Sequence, residues 1–427
     1  MSETKPAIAI IGAGIAGLSA AWLLRDRYAV TLYEAQARAG GHADTQFVTL
    51  DGARVAVDTG FILFNDRSYP NLSRFFSVLG VPWRNSQMSF GVSSAHAKLE
   101  YSSGGLGSLL AQPSNLFRPR FWGMILDMVR FSRQAPAVLK GDCSQSLGEY
   151  LAANRYGGGF IEDYILPMGA SIWCASVEGI KSVPAREFIR FFRDHGLLQL
   201  RSKPKWRTVD GGSKTYVDRV LGDLGGDVLL SAEVRKVRRV EGGVAVEALR
   251  EDSPHKAVYS QVIFACHADQ ALALMEDPTP REAAVLGAIR FHENSAVLHQ
   301  DTATMPRRRR AWSGWNYLSF GEEDHKHAIC LTFWMNMLQG IKSRQPLLVS
   351  MNPYTHVDPE KVLRRKTYRH PLYEATSVRT REALSEIQGL GGIWFAGAWT
   401  GWGLHEDGIV SAVRVANSLG IRAPWQG

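Results

Sequence analysis

Cysteine is scarce in this chain and scattered. Four occur in 427 residues, at Cys143, Cys174, Cys266 and Cys330, and no two form a CxxC pair. That spacing argues against a disulfide framework or a cysteine-ligated zinc, and it fits a reducing cytoplasm. No two histidines stand at the i, i+4 spacing of a helical metal site, so no metal is expected. No GxSxG elbow is present to support hydrolysis. Charge of one sign does not dominate: 49 Lys and Arg against 41 Asp and Glu leave +8. That excess favours anionic partners without selecting one, and no nucleic-acid module accompanies it, so nucleic acid is not an expected partner. One long uncharged run exists, the 18 residues Ala7 to Leu24. Glycines interrupt it and only Lys5 precedes it, so strand, turn and buried helix are read there rather than a membrane span or a signal peptide.

What is abundant is glycine, 41 residues, together with 45% hydrophobic and 21% charged residues. This is the composition of a folded protein, with length for two or three domains at roughly 150 residues each. The first fifty residues carry the clearest pattern. Ala7 to Ile11 reads as a strand buried on both faces, and Leu18 to Arg25 as a helix. Between them stands Gly12-Ala13-Gly14-Ile15-Ala16-Gly17. In such a turn the first glycine permits the bend, the second lets backbone approach a pyrophosphate, and the third lets helix and strand pack. The helix N-terminus then offers N–H groups and a positive dipole end to the phosphates. Ala29 to Tyr33 reads as a second strand, with Glu34 at its end, 22 residues beyond Gly12. A carboxylate there accepts the hydroxyls of an adenosine ribose.

Glu34-Ala35-Gln36-Ala37-Arg38-Ala39-Gly40-Gly41-His42 resembles the ExxxRxGG extension of FAD-binding proteins, and Asp58-Thr59-Gly60-Phe61 resembles their flavin-approaching turn. With Ile393 to Thr400 and Glu406 to Val413, the chain resembles the flavin-containing amine oxidoreductase superfamily. It is more specifically similar to a bacterial group of NAD/FAD-binding proteins associated with cyclopropane fatty acid synthase-like methyltransferases. Asp58 to Ile62 with Asn65, Leu166 to Ala170, Arg190 to Phe192, Trp206 to Ser213, Ala265 to Gln270 and Gly397 to Gly401 carry that second likeness. The resemblance implies an α/β fold: a Rossmann-like FAD-binding domain of amine oxidase type, in three pieces (1–89, 205–285, 385–427), and an α+β substrate domain (90–204, 286–384). It also implies that Val234 meets adenine, that Cys266 lies on a strand returning to the cofactor, and that Gly397, Ala398, Glu406, Asp407 and Gly408 border the flavin.

Two departures bear on chemistry. Ile289 to Val297 contains no Lys where amine oxidases of this fold commonly hold one, which speaks against amine oxidation. No cysteine follows Cys330, so the FAD is expected to be non-covalent. The implied activity is FAD-dependent dehydrogenation or desaturation of an apolar substrate, a small molecule or the acyl chain of a membrane lipid. Amine oxidation, redox-neutral isomerisation and partnership with a lipid methyltransferase are the alternatives. His42 and His405 are the candidate proton-handling residues, histidine being readily tuned near neutral pH. The location implied is cytoplasmic, with peripheral contact at the inner face of the membrane left open. Asn115 to Lys140 places Phe121, Trp122, Ile125, Met128, Val129 and Ser132 at helical spacing among arginines. A core helix with solvated arginines is the expectation, and a membrane-interface helix the alternative. Arg307 to Arg310, before Trp312 and Trp315, reads as a solvated turn between strands.

Overall fold

In a computed structural model the apolar run Ala7–Ile11 is the central strand of a five-stranded parallel sheet. Residues 5–141, 144–173, 175–199, 204–251, 253–319, 330–353, 357–372 and 380–426 are described, so Cys143 and Cys174 lie outside the described residues. The strand order is Ile393–Phe395, Gln261–Phe264, Ala7–Ile11, Ala29–Tyr33, Asp227–Leu229. Ile10 pairs with Leu32 on one side and Ile263 on the other, and all three are fully buried. A strand enclosed on both faces has no need of polar alternation, which is why this one reads as a continuous apolar run. The helix Ile15–Leu24 follows, apolar around its whole circumference and buried at every residue. It starts three residues earlier than the sequence suggests, because Ile15, Ala16 and Gly17 already lie inside its first turn. The C-terminal helix His405–Ser418 packs alongside it. At their contact a side chain on Gly408 would come 2.6 Å from the Ile15 Cγ2 methyl, so only glycine allows the two axes to approach.

A three-stranded antiparallel layer (Ala232–Val240, Gly243–Arg250, Ser253–Tyr259) covers the other side, with Val237, Val244 and Val246 fully buried beneath it. The remaining chain builds a seven-stranded mixed sheet. Its order is Val362–Pro371, Phe291–His299, Leu348–Met351, Cys330–Trp334, Trp315–Ser319, Phe90–Ser94, Leu99–Ser102. A largely helical layer over residues 113–194 packs on it around an aromatic core that includes Phe131, Phe160, Trp173, Phe188 and Phe192.

Within that layer Ile161–Ile165 is a π-turn running directly into the helix Leu166–Trp173. Pro167 brings no N–H for the carbonyl of Asp163, four residues earlier, and the Tyr101 hydroxyl donates to that carbonyl instead at 2.8 Å. The wider turn relieves the clash that proline makes with the preceding turn of a helix. The helix Pro119–Gln134 buries Phe121, Met124 and Phe131. Its inner face is therefore rotated from the stripe expected through Trp122, which is exposed. Among the described residues no helix is long and apolar enough to cross a membrane.

Candidate active site

The turn after the first strand has the geometry of a diphosphate cradle. Gly12 holds φ at +105°, a conformation that L side chains avoid. A Cβ on Gly17 would overlap the Gly12 carbonyl oxygen, whereas a Cβ on Gly14 would meet nothing within 4 Å. Gly14 thus faces open space at the helix N-terminus, and no side-chain cap occupies the first N–H groups there. Glu34 stands beside this opening. One carboxylate oxygen accepts from Ala13 N at 2.8 Å and the other from Gln36 N at 2.9 Å. Each oxygen keeps a further lone pair, enough for two vicinal hydroxyls. Ala232 N donates to the Glu34 carbonyl, which brings the strand carrying Val234 alongside, while Ala35 faces solvent. These groups fit the diphosphate and ribose of an adenine dinucleotide.

Beyond Glu34 the chain folds back over the cradle. Arg38 donates to the carbonyls of Gly41 (2.9 Å) and Ala43 (3.2 Å) and pairs with Asp44 at 3.0 Å. This clamp fixes the 40–44 turn, and a side chain on Gly41 would come 3.2 Å from the Gly14 Cα. The Phe61 N–H donates to the His42 carbonyl, and a Cβ on Gly60 would overlap that same carbonyl. Residues 12–17, 40–42 and 59–61 therefore form one contiguous surface.

The C-terminal helix adds its own N-terminus. The His405 ring stacks on Phe61 at 3.9 Å, and its Nε2 lies 3.2 Å from the Tyr216 hydroxyl. Glu406 turns away from this surface. Its carboxylate accepts from Asn71 N, Asn71 Nδ2 and Leu72 N at 2.8–2.9 Å, capping the helix Pro70–Val78. Asp407 accepts from Leu404 N at 2.9 Å and closes its own helix start. Enclosure raises the Asp407 carboxyl to about 7. Gly397 N donates to Ser411 Oγ, Trp399 Nε1 donates to the Cys266 carbonyl, and Ala398 begins the short turn between them. Burial pushes the Cys266 thiol up to about 12, so it is no nucleophile.

The second wall of the site comes from the seven-stranded sheet. His42 faces Tyr368 (5.0 Å between ring centres) and His370 (5.2 Å). Tyr368 shares a hydrogen bond with Thr59 Oγ1 at 2.8 Å and donates to Asp44 at 3.1 Å. His370 Nδ1 meets Asn294 Nδ2 at 2.8 Å. His42 is half-buried, but its Nε2 is enclosed and has no hydrogen-bond partner among the described residues. Desolvation, then the nearby His267 and Arg38, hold His42 down at about 4, and burial does the same to His267. His370 and His405 are held well below the usual histidine range too, by burial first and then by neighbouring histidines. All four are neutral at pH 7.

Several of these residues escaped the sequence reading. Tyr368, His370 and Lys366, whose Nζ lies 3.6 Å from Asp44 in the 40–44 turn, reach the site only because strand 362–371 pairs with strand 291–299. Tyr368 lies opposite Asn294 in that pairing, and no local motif announces it. Asp58 was read as part of a cofactor turn. It instead accepts from Thr45 Oγ1, Ser213 N, Ser213 Oγ and Gln339 Nε2 at 2.6–3.0 Å, tying the site to the seven-stranded half.

Comparison with known proteins agrees with this architecture. Residues 10–79 match the model of the NAD(P)-binding Rossmann-like domain family. Comparison with curated proteins gives no significant match. Among solved structures, a putative protoporphyrinogen oxidase from Exiguobacterium sp. 255-15 superposes with a TM-score of 0.67 at 17% identity, over 98% of this chain and 99% of its own. A CLA-producing fatty acid isomerase from P. acnes gives 0.68 at 14% identity, over 97% and 99%. Cyclohexylamine oxidase from Brevibacterium oxydans IH-35A gives 0.66 at 16% identity, over 97% and 100%. The chain has the α/β fold of the flavin amine oxidase type, with a Rossmann-like nucleotide-binding domain.

Proposed function

We propose that this protein is an FAD-dependent oxidoreductase that dehydrogenates an apolar substrate, with the acyl chain of a membrane lipid as the substrate class. Gly12, Gly14 and Gly17 would seat the diphosphate, Glu34 the ribose, and the 40–42 and 59–61 turns would border the ring system. Bound non-covalently there, FAD supplies a two-electron acceptor. The chain's own contribution is to orient, to exclude water and to hold protons. Dehydrogenation of a CH–CH unit removes two electrons and two protons, and His42 Nε2, enclosed and unpartnered among the described residues, is available to hold one of those protons.

One observation carries the choice of substrate class. The carboxylates at this site are already spent, and the histidines are uncharged. Asp44 is paired with Arg38 and lies near Lys366, Asp58 accepts four side-chain and backbone donors, and Glu406 and Asp407 cap helices. An ammonium substrate would be desolvated with no free anion to receive it, a cost of several kcal/mol. An apolar chain incurs no such cost. The likeness to the fold of a fatty acid isomerase supports the same class, and the absence of Lys from 289–297 supports it again.

Anaerobic mixing of the yellow holoprotein with phospholipid bearing methyl-branched or monounsaturated acyl chains tests the reading. Bleaching of the flavin band, with an acyl product two mass units lighter, is the expected result. Bleaching by primary amines and not by acyl chains would overturn it. A rearranged acyl chain of unchanged mass, formed without any external acceptor, would replace it with redox-neutral isomerisation. Stimulation of a lipid methyltransferase with no acyl turnover would replace it with the partner role.

A further inference from the structure

Five of the ten exposed large apolar side chains among the described residues, including the three most exposed, lie in one stretch, 106–126. Leu106 and Phe117, each 83% exposed, and Leu126 at 70% are the three most exposed large apolar residues among those described. Leu116 at 48% and Trp122 at 42% lie on the same stretch. Three successive short elements carry all five: the helical turn Leu106–Leu109, the 3-10 turn Pro113–Phe117, and the helix Pro119–Gln134. Trp122 Nε1 donates to the Leu116 carbonyl at 2.9 Å, which pins the indole to the turn bearing Phe117. Trp122 and Leu126 are four residues apart and share the outer side of their helix, opposite Phe121 and Met124. A solitary exposed leucine needs no explanation, but a cluster of this kind marks a binding surface.

The rim of the cluster is basic. The Leu106–Leu109 turn packs against Arg309–Ala311, within the exposed run Arg307–Arg310. Arg307 and Arg310 make no ion pair among the described residues, and Lys98 is exposed beside Arg118, which donates to its carbonyl. Nearby carboxylates are neutralised: Glu100 by Arg308 at 2.8 Å, Asp127 by Arg130 at 3.0 Å, and Asp163 and Glu162 by Arg120 at 2.7–2.8 Å. The field over the patch is therefore positive. A second copy of the chain would bring like charge against like, whereas anionic headgroups complement it.

We infer that this face docks on an anionic phospholipid bilayer, with Leu106, Phe117 and Leu126 entering the acyl boundary and Arg307 and Arg310 lying among the phosphates. An apolar face a few residues wide with cations at its edge is the chemistry of interfacial binding. The aromatic core beneath the docking helix is continuous through Phe131, Phe160 and Trp173 to Trp402 and Leu404, at the start of the C-terminal helix. The surface thus lies at the outer end of the half of the molecule that borders the candidate site.

Flotation of the holoprotein with vesicles of mixed phosphatidylglycerol and phosphatidylcholine, and with pure phosphatidylcholine, tests it. Binding to the anionic vesicles at low salt is expected, weakening as sodium chloride is raised. Arg307→Ala with Arg310→Ala should weaken it about thirtyfold. Leu106→Ser with Phe117→Ser should weaken it at least about tenfold. Both pairs are exposed, so thermal melting should match the parent protein and exclude misfolding. Failure of the parent to float with anionic vesicles would overturn the proposal, as would binding insensitive to both variants. Concentration-dependent dimerisation abolished by Leu106→Ser with Phe117→Ser would also overturn it and assign the face to a second copy.

Discussion

The two ends of the candidate site are built by different means. The nucleotide end is backbone and glycine: a turn of six consecutive residues, one carboxylate 22 residues later, and an arginine clamp four residues beyond that. The other end is side chains drawn from remote segments, where His42 meets Tyr368 and His370 across both halves of the molecule and His405 stacks on Phe61. The first end owes its shape to what cannot be added to it. The second owes its character to what is withheld from it, namely water and charge. Binding affinity should therefore be most sensitive at the glycines, and chemistry at the histidine wall.

The sharpest way to break this comparison is a pair of glycine substitutions. Gly17→Val places a side chain where the Gly12 carbonyl already stands, so both fold and cofactor should fail, with soluble yield and flavin content falling more than about tenfold. Gly14→Ala adds a methyl to open space at a residue with an ordinary φ of −75°. Stability of the FAD-free protein should then stay within about 0.5 kcal/mol of the parent, while FAD binding, followed by flavin fluorescence, is lost. Equal loss of stability in both variants would show that the opening at Gly14 has no ligand to accommodate.

The same contrast explains which parts are legible in the sequence. The fold class was legible because βαβ geometry imposes fixed local spacing: a buried strand, glycines at Gly12, Gly14 and Gly17, a helix, and Glu34 at the end of the next strand. Residues 12–17 and Glu34 are legible from such spacing, whereas 35–42, 59–61 and 397–408 are legible only through resemblance to a known family. The opposite wall was not legible. Tyr368 and His370 depend on the register in which strand 362–371 meets strand 291–299, and no short pattern encodes a register between strands separated by some seventy residues. Glu406 shows the limit from the other side. Its helix position was read, but its carboxylate turns to Asn71 and Leu72, a choice made by packing alone. The exposure of Trp122 has the same origin, since a helix with apolar residues on two sides leaves its orientation to its neighbours.

Acidification should expose the histidine wall. His42, His267 and His299 are held neutral down to about 4 in the folded chain, against about 6.5 when unfolded. A depressed histidine stabilises above its unfolded pKa, and that contribution is lost as pH falls from about 6.5 toward 4. Each is worth up to about 3 kcal/mol over that window. Asp407 acts oppositely: raised to about 7, it favours the folded state at low pH and loses that contribution as pH rises toward 7. Asp58, Asp163 and Glu406 are raised by burial as well, but His195, His370 and His405 are lowered. Six histidines thus stand against four carboxyls, and the melting temperature should fall between pH 6.5 and 4.5. A flat or rising profile there would mean that the wall is hydrated. Next in size is Asp58→Asn, in which the amide repels donors that the carboxylate accepts from Ser213 and Gln339. A loss of about 2–3 kcal/mol in denaturant unfolding is expected, with flavin content falling only in proportion to the unfolded fraction.

The smallest effect is the most informative about the division between the two ends. Tyr368→Phe removes one hydroxyl that bridges Thr59 and Asp44 without opening a cavity. Thr59 keeps its bond to the Asp44 carbonyl, and Asp44 keeps Arg38 and Gln46, so the stability cost should be about 1 kcal/mol. The affinity for FAD, set at the glycine end, should be unchanged. The environment beside His42 does change, because Asp44 loses the neutral donor on Tyr368, whose ring stands 5.0 Å from that of His42. The rate of flavin reduction by an acyl substrate, and its pH dependence, should therefore shift while the dissociation constant of FAD does not. If affinity and reduction rate fell together by the same factor, the two ends would be one cooperative unit, and the separation drawn between a glycine-built anchor and a side-chain-built wall would fail.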